Sequence, residues 1–270
     1  MRSHRRALLE RLKEQPLLEV IGVVGANGPS GSHLFGELLW TLQLSFECWK
    51  FPGAELQTKP LQLIQQVAEQ EVQRIQVRIA PYSVWRVRAH VSDRVADEGT
   101  PNALLVDLIG PDEEDVELIN TARRLQEPVS FEDHQFGVFT LDPRVNWFES
   151  RAAWNEEPIS LTLCVSNQDD VIGALSTARE LWSRQREWHQ QIVECCIRDL
   201  LALKNDSWLE PGEHEISADG FRQKLCLKTI AVGADSSFDF WFDDGGLFFG
   251  HSIRVRGNLS EGPDGAEIVG

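Results

Sequence analysis

The stretch Phe238–Arg256, reading Phe-Asp-Phe-Trp-Phe-Asp-Asp-Gly-Gly-Leu-Phe-Phe-Gly-His-Ser-Ile-Arg-Val-Arg, constrains the fold more than any other part of the chain. Phe238, Phe240 and Phe242 alternate with Asp239, Trp241 and Asp243, the period of two of a strand with one apolar face. Ile253 and Val255 alternate in the same way with Ser252, Arg254 and Arg256. The two runs read as antiparallel neighbours joined by a wide or bulged turn. Asp244, Gly245 and Gly246 lie in that turn, where glycine takes positive φ without a Cβ clash and aspartate bonds the local backbone. Pairing places Asp239 and Asp243 on the same face as Arg254 and Arg256.

With 270 residues there is core enough for two modest domains or one large one. The hydrophobic and charged fractions, 42% and 25%, are those of a soluble globular protein. A formal net charge of -16 argues against nucleic acid as a partner, because phosphate-backbone binding draws on clustered Lys and Arg. The five cysteines (Cys48, Cys164, Cys195, Cys196 and Cys226) form no Cys-x-x-Cys pair and no zinc-like spacing. They read as reduced, mostly buried thiols of a cytoplasmic protein. Residues 1–15 read as a basic amphipathic helix or a disordered tail, with no apolar run long enough for a signal peptide or membrane span.

Along the chain, Glu19–Val24 is an apolar run ending in the glycine-rich stretch Gly25–Gly31, which superficially resembles the phosphate loop of short-chain dehydrogenases. Strand periodicity resumes at Trp40–Cys48, so at most two turns of helix fit between, and the stretch is expected to link two strands and to bind no dinucleotide. Leu61–Val72 has helical spacing. Ile75–Ile79 and Trp85–Val91 alternate as two half-buried strands, with Arg74, Arg78, Arg86 and Arg88 as a candidate basic strip. Leu104–Ile109 reads as a more buried strand, and Pro111 as the opening of a helix with acids in its first turn, Arg123 and Arg124 in its last, and Val116, Ile119, Ala122 and Leu125 as its inner stripe. The polar stretch before Phe136 marks the boundary between a β-rich domain at 16–130 and a second domain at 136–270.

The second half opens with strands at Phe136–Leu141, Phe148–Trp154 and Ile159–Val165, the last two joined as a hairpin at Asn155–Pro158. Asn167 is placed to cap a helical segment through Lys204, with Asp169 and Asp170 in its first turn and a faltering stripe at Ser183–Glu187 that leaves one kinked helix or two. Ser217 caps a short helix, Leu225–Val232 returns to strand, Asn258–Gly265 is a loop, and Ala266–Val269 closes the sheet.

The one constellation with chemical potential is Asp239, Asp243, Asp244 and His251, carboxylates and an imidazole of the kind that bind a divalent metal or share acid and base work. No motif fixes their geometry, and the bland reading makes His251 a turn residue bonded to a backbone carbonyl. No serine or cysteine nucleophile has supporting context, so no catalytic residue and no cofactor is assigned. At Asp243–Ile253, with the Trp147–Trp154, Asn205–Trp208 and Ala266–Gly270 segments, the second half resembles a bacterial family known as domain of unknown function 2262. The resemblance implies kinship with small acidic proteins of immunity and other interaction types, without an established reaction.

The fold expected is α+β: a β-rich N-terminal domain, then an antiparallel sheet packed on a long helical segment. The functional expectation is a non-enzymatic factor that binds another, basic protein, with no nucleic acid and no membrane involved. The alternative is a metal-assisted hydrolase at Asp243, Asp244 and His251.

Overall fold

The computed structural model describes residues 2–92, 102–165 and 170–270 and is mixed α+β. It divides into two compact units, Met1–Glu127 and Pro128–Gly270.

The first unit runs α1 (Arg2–Lys13), β1 (Leu17–Val24), β2 (Ser30–Ser32), β3 (Trp40–Lys50), β4 (Leu61–Val67), α2 (Glu69–Arg78), β5 (Val84–Val91), β6 (Asn102–Pro111) and α3 (Val116–Leu125). Strand order is β1-β5-β6-β4-β3-β2, and β1 also pairs with β3, so five strands close on themselves while β2 hangs on β3. The parallel pair β4–β6 is the short seam of this barrel, and α2 follows its third strand. That is the strand order of the OB-fold barrel. Closure buries Leu42, Leu44, Phe46, Leu61, Leu63 and Val87 inside.

Several sequence expectations change here. Leu61–Val72 is not one helix, because Leu61 and Leu63 face the barrel interior while Ile64 faces Leu9 and Leu12 of α1 on the outside. Apolar residues on both faces of a strand imitate helical spacing. Ile75–Ile79 is not a strand: Val72, Ile75 and Ile79 form the buried stripe around α2, and Val77, which completed the apparent alternation, is 91% exposed. The expected basic strip is dispersed, with Arg74 paired to Glu71, Arg78 over Trp85, Arg86 bonded to Glu19 and Asp112, and Arg88 paired to Asp107. Pro111 ends β6. Asp112 instead accepts from the Glu114 and Asp115 amides, and Asp115 caps α3 through Leu118 N–H. The inner face of α3 is Leu118 and Ala122, and Val116 and Leu125 are exposed. β6 is buried on alternate residues only. Gly25–Gly31, by contrast, links two strands as expected, leaving β1 and running into β2, of which Gly31 is the middle residue.

The second unit runs β7 (Ser130–Asp133), β8 (Gly137–Asp142), β9 (Trp147–Trp154), β10 (Glu157–Cys164), α4 (Asp170–Ser183), α5 (Gln185–Ser207), α6 (Ala218–Lys224), β11 (Cys226–Gly233), β12 (Ser237–Asp243), β13 (Ser252–Asn258) and β14 (Gly262–Val269). The polar stretch before Phe136 therefore contains a strand, and the last strand is longer than expected. Asn167 and Asp169 lie outside the described residues. The helical segment is two helices, broken at Arg184.

All eight strands follow one another in the sheet, β14-β13-β12-β11-β10-β9-β8-β7. Each pair is antiparallel except β10–β11, which is parallel because the three helices intervene as a crossover. Phe240, Phe242, Ile253, Leu161 and Ile230 face the helices, which present Ala174, Ala178, Ile192 and Cys196. Gly173 lets α4 approach closely, since a Cβ there would lie 2.9 Å from that of Ala234.

The β9–β10 turn consists of Asn155 and Glu156, both at positive φ (49° and 74°), as a two-residue hairpin of the primed type requires. Asparagine suits that conformation and glutamate does not. Glu156→Gly is expected to raise stability by about 0.5 kcal/mol, the left-handed strain of about 1 kcal/mol less the entropy glycine adds to the unfolded chain. Chemical denaturation checks it, and a loss of stability would show that the turn is not strained.

Candidate functional site

The β12–β13 connection carries the residues of interest. Register pairs Asp239 with Arg256, Trp241 with Arg254 and Asp243 with Ser252, so β12 presents its phenylalanines to the core and its polar residues to the other face. Asp239 lies four residues before Asp243, about 13 Å along an extended strand. The structure thus brings Asp243, Asp244 and His251 into one turn and leaves Asp239 apart.

Asp244 organises that turn. Only 3% exposed, its carboxylate accepts from three backbone amides: Oδ1 from Gly246 at 3.0 Å, Oδ2 from Phe248 at 2.5 Å and from Gly250 at 3.1 Å. Burial pushes its pKa up, but these bonds and nearby His251 outweigh burial and hold it below the ordinary value. The Asp243 carboxylate accepts from Gly245 N at 2.9 Å. Gly245 sits at φ 56° against the preceding helix, where a Cβ would come within 2.2 Å of Lys224 O.

The His251 ring lies 2.6 Å from Phe248 O through Nδ1, and because a carbonyl only accepts, that nitrogen carries the proton. The ring is half-buried between Trp208, with centroids 5.4 Å apart, and the backbone of Gly270.

Leu247 and Phe248 point into the core, and Phe249 points out at φ 57° with its ring 5.4 Å from Trp208. Trp208 is positioned from the far side. Lys204, 1% exposed, donates to Trp208 O at 2.7 Å and to Glu213 at 2.8 Å, while the Asn205 amide both accepts from Ile216 N and donates to Ile216 O. The segment after α5 is therefore pinned against the turn. Sequence reasoning missed Trp208 and Phe249 as one surface. Their adjacency in space depends on the helical crossover, and the only local signal was the dense aromatic content.

Asp239 is the outlier. Its Oδ1 is buried with no hydrogen-bond partner, and Arg254 stands 3.9 Å away while bonding Glu267 instead. Burial raises its pKa, partly offset by Arg254 and Arg256. Among the described residues, no group of three or more His, Cys, Asp or Glu is placed to hold a metal ion, and no helix is long and apolar enough to cross a membrane.

A five-stranded barrel followed by a helix-backed meander with a carboxylate-closed turn defines a two-unit α+β protein. The chain belongs to the family described as "Uncharacterized protein conserved in bacteria (DUF2262)", whose model matches residues 133–268. Residues 5–125 match the model "Domain of unknown function (DUF7021)". No curated protein and no solved structure matches the chain.

The linkage at Asp244 has a definite sign. Because folding depresses its pKa, its contribution is fully present above pH about 4 and is lost as pH falls through the folded-state value. Asp244→Asn is expected to cost about 1.5–3 kcal/mol at neutral pH, as charged hydrogen bonds do. The gap from the native protein should narrow on acidification. Thermal melts across that range test it; a constant gap would remove the charge from the explanation.

Proposed function

We propose that the chain is a non-enzymatic, cytoplasmic protein-binding factor of immunity-like or regulatory type, and that it meets a basic partner protein through the face around Phe249. The observation that carries this reading is Phe249 itself, a bulky side chain held in the left-handed region and 57% exposed. Such strain persists where a surface is shaped for use, and an exposed aromatic beside a tryptophan has the character of an interface anchor. The exposed acids Asp206, Glu210 and Glu215 border Trp208 along the chain. Most of the net negative charge also falls in the second unit. An acidic rim around an aromatic centre favours a basic partner and speeds its approach in a salt-dependent way.

The hydrolase reading draws less support. Both Asp244 oxygens are taken by backbone amides, and His251 Nδ1 is taken by Phe248 O.

Capture with the tagged protein from its own bacterial host, at low and moderate salt, tests the reading. A specific basic protein should be retained. Phe249→Gly, which suits the backbone and removes the ring, should weaken binding at least about tenfold, the loss expected of a hot-spot anchor, with the fold kept. Joint reversal of Asp206, Glu210 and Glu215 to lysine should abolish retention. Retention unchanged by both variants, or a tightly held divalent metal at Asp243 or His251 with hydrolytic activity, would overturn the proposal.

A further inference from the structure

Between β2 and β3 the chain makes a loop that turns bulky apolar side chains outward. Glu37 N–H donates to Leu34 O at 3.0 Å, closing a β-turn whose third residue, Gly36, sits at φ 81°, in the left-handed region that favours glycine. His33 Nε2 lies 2.8 Å from Glu37 O, and its ring stacks on Trp40 with centroids 5.4 Å apart, so the loop is braced at its base. Phe35 stands at the corner of the turn, 95% exposed, and the chain beyond it leaves Leu38 99% and Leu39 41% exposed. Large apolar side chains held out on a protruding tip mark a contact surface, and a convex tip suits insertion into a fluid apolar layer.

The tip lies beside α1. Leu9, Glu10 and Lys13 of that helix line one groove with Gly36, Leu38 and Leu39. Leu9 and Leu12 are buried against Ile64, so these apolar residues of α1 are occupied by its own barrel, and what the helix adds to the surface is charge. Along its sequence α1 carries four arginines and one lysine against Glu10 as its single acid, in a chain whose net charge is -16. Lys13 pairs with Glu10 at 2.9 Å, and the remaining acids of α1's C-terminal flank and of the loop are Glu14 and Glu37. Cations stay in excess. With a Debye length of about 8 Å at physiological salt, charges farther away are largely screened from whatever α1 meets.

We propose that the Phe35–Leu39 tip and α1 form a docking surface for an anionic lipid bilayer, Phe35 and Leu38 entering the interfacial layer while the α1 cations meet the headgroups. Charge complementarity selects this occupant: an uncharged apolar partner would leave the cations without a role, and a polyanion with no apolar layer beneath its charges would leave the tip in water. The contact goes beyond the protein partner proposed for the second unit and departs from the expectation that no membrane is involved. No helix among the described residues is long and apolar enough to cross a bilayer, which bears on spanning it and not on resting against it.

The test mixes the full chain with vesicles of phosphatidylcholine alone and of roughly 3:1 phosphatidylcholine and phosphatidylglycerol, and reads the bound fraction by flotation. Binding to the anionic vesicles at low salt is expected, and binding at least about tenfold weaker both on the neutral vesicles and in about 0.5 M salt. Phe35→Ser together with Leu38→Ser should weaken it at least about tenfold with the melting temperature unchanged, since both side chains stand outside the core. Arg5→Glu, Arg6→Glu and Arg11→Glu together should abolish it. Equal binding to neutral and anionic vesicles, or binding that survives the loop variant, would overturn the proposal. So would absence of vesicle binding, and a concentration-dependent dimer removed by the loop variant would then assign the tip to a second copy of the chain.

Discussion

A single buried carboxylate governs the central hairpin of the second unit. Removing Asp244 from water is costly unless its charge is met, and three amide donors from its own turn meet it. Those bonds fix how the chain leaves β12 and enters β13. The register that puts Phe240 opposite Val255 and Phe242 opposite Ile253 on the core face depends on that geometry. The same bonds turn Leu247 and Phe248 inward and leave Phe249 outward. The structural and the functional readings of the turn are therefore consequences of one interaction.

The parallel β10–β11 junction explains much of the rest of the second unit. A helical crossover between β10 and β11 supplies the layer that buries one sheet face, and it also places Trp208 against the turn. The parallel ladder forms only from Ser160 and Thr229 onward, and short of it Pro158 and Ile159 line a cavity with Leu225, Cys226, Leu227 and Lys228.

Much of the fold was legible because alternation survives wherever one sheet face is buried and the other is not. Phe238–Asp243, Trp40–Cys48 and Trp85–Val91 are such strands. It failed where an element is apolar on two sides, as at Ile64 in β4, or where an exposed apolar residue completes a false pattern, as Val77 does in α2. The turn residues Asp243, Asp244 and His251 were visible as a local cluster. Their partners were not: the donors to Asp244 are backbone amides with no residue signature, and Trp208 lies some forty residues away in sequence.

The most direct measurement of the central claim is amide hydrogen exchange at Gly246, Phe248 and Gly250, followed residue by residue as pH is lowered. If the Asp244 carboxylate closes the turn, these amides are protected at neutral pH and lose their excess protection, after correction for intrinsic rates, as Asp244 is protonated, before the amides of β12 and β13 do. Unprotected amides at neutral pH, or protection unchanged when Asp244 is replaced by asparagine, would contradict the account.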